Sequence, residues 1–424
     1  MNVLQKITKY SLSIKNIGYY FSASFIPMLI TLALNPLYTT FLSPSDYAII
    51  GYYNSFNTLF SPLILFYFNQ YYIREYFYRD EVGRLKLRAL VFKTFLFLPF
   101  ILGAFSLLGI FLYKNCFVSE SEIPFSPYAI LALLPSVMVG MYRLELIDLK
   151  VKKNGKRYFQ LALLNAVIIA ISSISFVVLA EWGASGQFLG AMSGPLFFYL
   201  YALRKKKELF SIAYEYSEFK KAITFCWPLV LAGMFDFFAS GYDKVVLEKM
   251  VSIESLGYYS VGISIGSYLG IFSGAIADTF SPDIYDALAK KEYRRMLKYA
   301  FLQIGVMLCV VLIFVLFAKY VVMILTANRY TASTLYAQIA SFGALTSCIY
   351  CIVSNVVQSF KKTKIVLSTK VFGSILCICS YNMLIEKFDI AGAAAGYALS
   401  YVYFSIIALV LLFISLQIDK KRKL

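Results

Sequence analysis

The chain has 424 residues, of which 60% are hydrophobic and only 15% charged, and its formal net charge is +17. A soluble chain would carry roughly 25% charged residues. Apolar stretches of 18 or more residues recur along the whole sequence, each long enough to cross a bilayer core of about 30 Å. These values exclude a soluble globular protein and indicate a polytopic membrane protein.

Twelve apolar stretches are found along the chain. None shows the alternation of a barrel strand, so we expect helices, the other structure that satisfies every backbone polar group within lipid. The predicted fold is all-α and integral to the membrane, with about twelve transmembrane helices. The predicted spans are 17–39, 47–68, 90–113, 124–147, 159–181, 184–203, 221–245, 254–279, 297–323, 334–360, 363–384 and 389–416.

Lysines and arginines are concentrated on one side of the predicted topology. With the amino terminus inside, the inner segments hold 31 of these residues and the outer loops hold six. Cytoplasmic loops carry an excess of Lys and Arg. The bias therefore predicts a multi-pass protein of the cytoplasmic (inner) membrane with both termini in the cytoplasm.

The basic residues also suggest a partner. Basic runs can bind the phosphates of nucleic acids, but here they are divided among short loops, each beside a membrane end. Attraction to anionic lipid headgroups accounts for this distribution. We therefore expect membrane lipids, and no nucleic acid, as partners.

Signatures of catalysis and of metal binding are missing. The chain has no histidine, which disfavours zinc sites. Cys348 and Cys351 have the spacing of a redox or metal pair but lie within the tenth span, where cysteine usually acts as a small hydrophobe. No phosphate-binding loop is present, and the stretches between spans reach only about 20 residues. The sequence predicts no enzyme activity, no cofactor and no metal.

The chain looks like two halves of six spans. A polar turn at Leu42-Ser43 opens span two, and a similar turn at Val251-Ser252 opens span eight, 209 residues later. The basic turns after spans four and ten are 208 residues apart. We therefore predict an amino-terminal six-helix lobe, 1–210, and a carboxy-terminal six-helix lobe, 211–424. An even repeat implies a pseudo-twofold axis along the membrane normal, with a cleft between the lobes.

Several short motifs resemble one family of transporters. Polysaccharide flippases commonly have Pro-Leu at the end of span one, then a turn, an acidic residue and Tyr-Gly; here Ala48 stands in place of the glycine. The matching residues are Asn35 to Tyr38, Ser43 to Tyr47, Pro228, Asp243-Lys244, Leu256-Gly257-Tyr258-Tyr259, Phe280-Ser281-Pro282 and Tyr330. The chain thus resembles the polysaccharide (O-antigen, Wzx-type) flippase family of the multidrug/oligosaccharidyl-lipid/polysaccharide exporter superfamily.

The resemblance implies a function. A flippase of this kind moves a lipid-linked (polyprenyl-pyrophosphate) oligosaccharide across the bacterial inner membrane for O-antigen or capsule synthesis, and a polysaccharide polymerase would be a partner. A cation-coupled multidrug or small-molecule exporter of the same fold is the alternative. A glycan polymerase or scaffold is a third class, which the lack of a large outer loop disfavours.

Three charged residues within the predicted spans are candidates for function. Asp236, near the middle of span seven, has no cation three or four residues away, so it must be protonated, face a cleft or pair with another helix. We assign it to coupling. Arg143 in span four and Lys370 in span eleven either snorkel to the membrane surface or bind substrate pyrophosphate, and we assign both to substrate binding.

Four further residues are candidates. Asp243 and Lys244 match a family position at the outer end of span seven, and being adjacent they should point to different faces of the helix. Their role is structural or in transport. Pro36 should kink span one and serve as a hinge. Asn35, beside it, supplies an amide for contact with sugars and is assigned to substrate binding.

The topology can be tested by labelling single cysteines on a cysteine-free background. Sites at 204–207 and at 280–296 should be inaccessible to an impermeant reagent added outside, whereas sites at 114–122 and 384–388 should react. Outside labelling at 204–207 would contradict the topology.

Overall fold

The structure is a computed structural model that describes residues 3–118, 122–360 and 362–421. Within these ranges the chain is helical, with no strand. Part of the predicted outer loop 114–122, the basic residue Lys361 and the extreme ends of the chain lie outside the described residues.

The helices follow the predicted spans closely. A π-helical turn, Ile174–Leu179, continues α6, and a 3₁₀ turn, Thr331–Ser333, precedes α15. The helices are α1 Val3–Phe41, α2 Pro44–Leu65, α3 Phe68–Tyr76, α4 Glu81–Phe117, α5 Tyr128–Val151, α6 Gly155–Ser173, α7 Gly183–Lys205, α8 Glu208–Ser211, α9 Tyr216–Met234, α10 Phe237–Ser240, α11 Tyr242–Leu247, α12 Ile253–Ser267, α13 Leu269–Ala289, α14 Tyr293–Leu325, α15 Thr334–Ser359 and α16 Thr363–Lys421.

The described helices provide twelve spans. Nine segments are long and apolar enough to cross a membrane by length and composition. The less apolar α2 and α7 add two. The long α16 supplies a further one, because Asp389 has φ 49° and ψ −132°, outside the helical region, and divides it. The prediction of an all-α membrane fold with about twelve helices is confirmed.

Polar caps begin several helices. The Ser43 backbone N–H and hydroxyl both donate to Asp46, at 2.9 and 2.7 Å, and the Asp46 N–H donates back to the Ser43 hydroxyl at 3.1 Å. Ser252 caps α12 by accepting from the Ser255 N–H at 3.3 Å. The two polar turns that mark the sequence repeat are therefore both helix starts, which explains their composition.

Other landmarks repeat at the same spacing. The helix ends at Phe117 and Val151 recur at Leu325 and Ser359, about 208 residues later. Glu181, with φ 55°, recurs as Asp389, with φ 49°, each leading into the last span of its half. The recurrence of helix ends and left-handed residues supports duplication of a six-span unit.

Small residues draw the last two spans of the first half together. Gly186, Gly190 and Gly194 lie four residues apart on α7. A Cβ on Gly186 would lie 2.8 Å from the Phe176 carbonyl oxygen, one on Gly190 would lie 2.8 Å from the Ser173 Cβ, and one on Gly194 would lie 2.9 Å from the Ile169 Cγ1. Close approach of backbones at glycines is a general mode of helix association in membranes. In the second half, Gly392 and Gly396 make similar close approaches, to the Leu384 backbone and to the Tyr381 ring.

The described chain divides into two compact units, residues 1–42 with 60–230 and residues 43–59 with 231–424. The first unit has an aromatic-rich core around Phe68, Tyr72, Phe92 and Phe95. In the second, Val261, Ile265 and Val322 pack with Tyr330. The lobes 1–210 and 211–424 were drawn from the sequence repeat rather than from packing, and that division stays a prediction.

The glycine series gives a stability prediction. Gly190→Val places a branched side chain 2.7 Å from the Ser173 Cα, and overpacking of this kind costs about 1–3 kcal/mol or more. We expect a clear fall in the melting temperature of the purified protein. Gly305→Val on α14 is the control, because a Cβ there meets nothing within 4 Å. Equal melting temperatures for the two variants would contradict the tight α6–α7 contact.

Candidate functional site

The seventh span is interrupted near its middle. The sequence predicted one helix over 221–245, and this is wrong: α9 ends at Met234, and two short helices, α10 and α11, follow. Asp236 lies in the first interruption, and Gly241, with φ −142° and ψ −22°, forms the second. Irregular backbone at membrane depth is tolerated where it is buried in protein or lines a cavity.

Span eleven supplies partners for the interrupted backbone. The Ser374 hydroxyl donates to the Phe235 carbonyl at 3.3 Å, and the Tyr381 hydroxyl donates to the Ala239 carbonyl at 3.1 Å. The Phe235 carbonyl also accepts from the Phe238 N–H at 3.2 Å, and the Ser374 hydroxyl lies closer to the Lys370 carbonyl, at 2.7 Å. The contacts from span eleven therefore add to the bonds that the backbone makes at the break. They also fix α16 against the interrupted span.

Lys370 lies one turn before Ser374 on α16 and forms an ion pair with Asp236. Its ammonium also lies 4.7 Å from the ring centroid of Tyr350 and 4.4 Å from that of Phe404. The Lys370 side chain is 9% exposed, whereas that of Asp236 is 41% exposed. Of the three alternatives left open by the sequence, pairing with another helix is the one observed. The substrate and coupling roles of the two residues remain predictions.

Asp243 and Lys244 are buried in the same unit and form a second polar cluster. The expectation that they point to different faces is wrong, because the Lys244 Nζ lies 3.3 Å from the Asp243 Oδ2. The long lysine side chain turns back within the short helix α11. Tyr259 donates to the same carboxylate oxygen at 2.6 Å, while the Asp243 Oδ1 is buried without a hydrogen-bond partner among the described residues.

Arg143 lies on α5 in the first unit and is exposed. In the described part of the chain it makes neither a hydrogen bond nor an ion pair, and the Tyr67 hydroxyl is near enough to interact with it electrostatically. Tyr67 has φ 48° at the break between α2 and α3. A guanidinium in a spanning helix faces a polar space rather than hydrocarbon.

The carboxylates of α5 are already engaged. The Arg88 guanidinium lies 2.9 Å from Glu145 and 3.2 Å from Asp148, and Lys152 lies 2.8 Å from Asp148. The Tyr72 hydroxyl donates to Asp148 at 2.8 Å. Burial and the nearby Asp148 charge raise the pKa of Tyr72, so its hydroxyl remains a donor. Both acids are therefore paired, and neither shares a face of α5 with Arg143, because residues that meet on a helix are three or four positions apart.

The remaining candidates of the first span have ordinary surroundings. Helix α1 runs through Pro36 without a break, and the Thr39 hydroxyl donates to the Pro36 carbonyl at 2.9 Å. Asn35 is partly buried in the same helix. The hinge role of Pro36 and the substrate role of Asn35 stay predictions.

The sequence reasoning did not identify a cavity in the first unit. It has a volume of about 260 Å³, and its polar lining includes Asn165 and Gln187. The Gly186–Gly190–Gly194 spacing was a detectable signal for the helix pair that carries these two amides. Among the described residues, no group of three His, Cys, Asp or Glu could hold a metal ion.

One family matches the chain by sequence. The pattern of a family described as polysaccharide biosynthesis protein matches residues 13–282. No curated protein matches the chain.

Several solved transporters have a similar structure. An inward-facing multidrug resistance MATE family transporter of the MOP superfamily superimposes with a TM-score of 0.72 at 13% identity, over 95% of this chain and 99% of that one. The lipid II flippase MurJ, in an inward closed conformation, gives a TM-score of 0.70 at 14% identity, over 93% of this chain and 87% of that one. The Vibrio cholerae MATE transporter VcmN D35N mutant gives 0.59 at 14% identity, over 96% and 98%. At these identities the likeness establishes the fold.

The exposure difference within the Asp236–Lys370 pair predicts unequal effects on stability. Asp236→Asn strands a buried ammonium and should cost about 3 kcal/mol, at the low end for buried pairs because the two rings remain. Lys370→Met leaves a carboxylate that is two-fifths exposed and should cost under about 1 kcal/mol. The double variant should recover most of the loss caused by Asp236→Asn. Additive losses in thermal unfolding would show that the two residues do not interact.

Proposed function

The chain belongs to the polysaccharide biosynthesis protein family, and on that premise we propose that it moves a lipid-linked (polyprenyl-pyrophosphate) oligosaccharide repeat unit across the bacterial cytoplasmic membrane. The family and the fold make it a membrane flippase or exporter. The proposal adds the substrate, its use in O-antigen or capsule synthesis, and movement by alternating access. It includes no bond-breaking step, and a polysaccharide polymerase would receive the unit.

Arg143 is the observation that carries the proposal. An arginine costs about 2.5 kcal/mol or more at the centre of a membrane helix and less toward its ends; Arg143 lies within the span, and in the described chain no carboxylate pairs with it. An anionic ligand would offset this cost by supplying the missing charge. Guanidinium groups bind phosphate oxygens through paired hydrogen bonds, so a pyrophosphate is a fitting anion.

The alternative is a cation-coupled multidrug or small-molecule exporter of the same fold, and the same observation weighs against it where the exported compound is itself a cation. Such a compound would be repelled by Arg143, because Glu145 and Asp148 on the same helix already pair with Arg88, Lys152 and Lys206. A flippase has no such conflict. The lipid tail can stay in the bilayer while the charged head passes through a polar path.

We also propose that the Asp236–Lys370 pair couples movement to an ion. Protonation of the partly exposed Asp236 carboxylate would remove its charge and release the Lys370 ammonium for a phosphate oxygen. Return of the proton to the other side would restore the ion pair and release the phosphate. One charge that falls through 100 mV yields about 2.3 kcal/mol, enough to bias the cycle.

The proposal predicts the behaviour of Arg143 variants. In a strain that lacks its own copy of the gene, Arg143→Ala should reduce surface polysaccharide at least tenfold at normal protein level, because the phosphate contact is lost. Arg143→Lys should recover part of it. Purified Arg143→Ala should also bind sugar-free polyprenyl pyrophosphate more weakly than the unaltered protein does.

Lys150→Ala is the matched control, since Lys150 is an exposed cation two turns further along α5. It should retain full polysaccharide display. Normal display by Arg143→Ala, with unchanged lipid binding, would refute the phosphate role.

A further inference from the structure

The cavity in the first unit has the composition of a binding site. It has a volume of about 260 Å³ and is lined from α1, α5, α6 and α7. Its lining contains hydroxyl, amide, aromatic and aliphatic side chains but no charged residue. The residues with polar groups are Thr31, Tyr38, Tyr142, Asn165, Ser173 and Gln187.

Two amides of the lining have no partner. The Asn165 Oδ1 and the Gln187 Oε1 are buried and have no hydrogen bond to any described residue. A buried polar atom left without a partner costs about 1–3 kcal/mol, and such atoms are rare in folded proteins. These oxygens are packed between the helices, whereas the amide NH2 groups of the same two lining residues make no hydrogen bond to a described residue and are not buried. An amide NH2 group is a double donor, so both can donate to a ligand that presents hydroxyl or acetamido oxygens.

The surrounding packing fixes these groups in place. A Cβ on Gly194 would lie 3.1 Å from the Asn165 Cγ, so that glycine is what allows the amide to fit between the helices. Tyr142 packs on Phe198 with ring centroids 4.8 Å apart. The π-helical turn Ile174–Leu179 begins directly after the lining residue Ser173, and such turns occur frequently at functional sites.

In the second unit, charged side chains occupy two of the positions that correspond to the cavity lining. At the repeat spacing of about 208 residues, the lining residues Pro27, Tyr142 and Ala162 correspond to Asp236, Tyr350 and Lys370. In the second unit these three positions hold the ion pair and the aromatic ring beside it. In the first unit the same positions are uncharged and border open space.

We propose that the first-unit cavity binds one uncharged sugar ring of the lipid-linked oligosaccharide, through Asn165 and Gln187. This inference rests on the proposed function and names a part of the substrate that it leaves open. A cation in the cavity would lack a carboxylate and an anion would lack a cation. Drug-sized ligands occupy roughly 300–1,000 Å³, so about 260 Å³ suits one ring rather than an oligosaccharide.

The test compares three lipid probes on the purified full-length protein. They are polyprenyl pyrophosphate without sugar, the same lipid with one glucose or N-acetylglucosamine, and the same lipid with glucuronic acid. We expect at least one uncharged sugar to tighten binding tenfold or more over the sugar-free lipid, and glucuronic acid to add nothing. Asn165→Leu and Gln187→Leu should each lower the affinity for the uncharged-sugar lipid about tenfold. Neither variant should change the affinity for the sugar-free lipid.

Control variants separate ligand binding from structure. Asn165→Leu should not lower the melting temperature, because replacing an unpaired amide with an apolar group of similar size is close to neutral. Gln160→Leu, an exposed amide on the same helix, should change neither affinity. Ala162→Leu should fill part of the cavity and remove the sugar effect.

The failure of this inference can be told from that of the proposed function. If the sugar-free lipid binds but no uncharged sugar adds affinity, or if Asn165→Leu and Ala162→Leu leave the sugar effect intact, the cavity holds only water and the inference is wrong. If no polyprenyl lipid binds at all, the proposed function fails. Free methyl N-acetylglucosaminide at millimolar concentration then tests the cavity by itself. Binding of this sugar that is lost in Asn165→Leu supports the sugar site, and no binding of the sugar overturns the inference.

Discussion

Within hydrocarbon every backbone N–H and C=O needs a partner inside the protein, and the arrangement of the second unit follows from this constraint. Where span seven is interrupted, Ser374 and Tyr381 on span eleven donate to the carbonyls of Phe235 and Ala239. Those bonds hold α16 against the break. Lys370 lies one turn from Ser374 on the same face of α16, so the same contact between the two spans places its ammonium beside Asp236.

Charge is distributed differently in the two units. In the second, Lys370 is neutralised by Asp236 and covered by two rings. In the first, the acids of α5 are held by Arg88 and Lys152, and Arg143 has no acid of its own. On the proposed function, Arg143 is a cation available to the anionic substrate, and Lys370 is a cation that becomes available when Asp236 is protonated.

The sequence was sufficient for the features that depend on local composition. Hydropathy and cap residues such as Ser43 and Ser252 gave the spans, because a membrane helix and its start are specified by neighbouring residues. The break at Asp236 was not predicted, since the mean hydropathy of this stretch is that of one continuous span and Asp236 pairs with a residue 134 positions away. The contact of Asp243 with Lys244 was missed because a long lysine side chain can turn back on its neighbour, which the helical spacing of Cβ atoms does not show. The amides at Asn165 and Gln187 were missed because their surroundings depend on how helices pack rather than on periodicity.

Duplication explains why unlike chemistry lies at equivalent positions. A six-span unit copied in tandem begins with the same side chains at equivalent positions of both copies. These side chains can then change in either copy without disturbing the helices around them. Tyr142 and Tyr350 remain as aromatic residues at one offset, while Ala162 and Lys370 differ as much as two side chains can. The substrate of the proposed function joins an uncharged sugar to a charged pyrophosphate, so one uncharged and one charged version of the same set of positions would match its two parts.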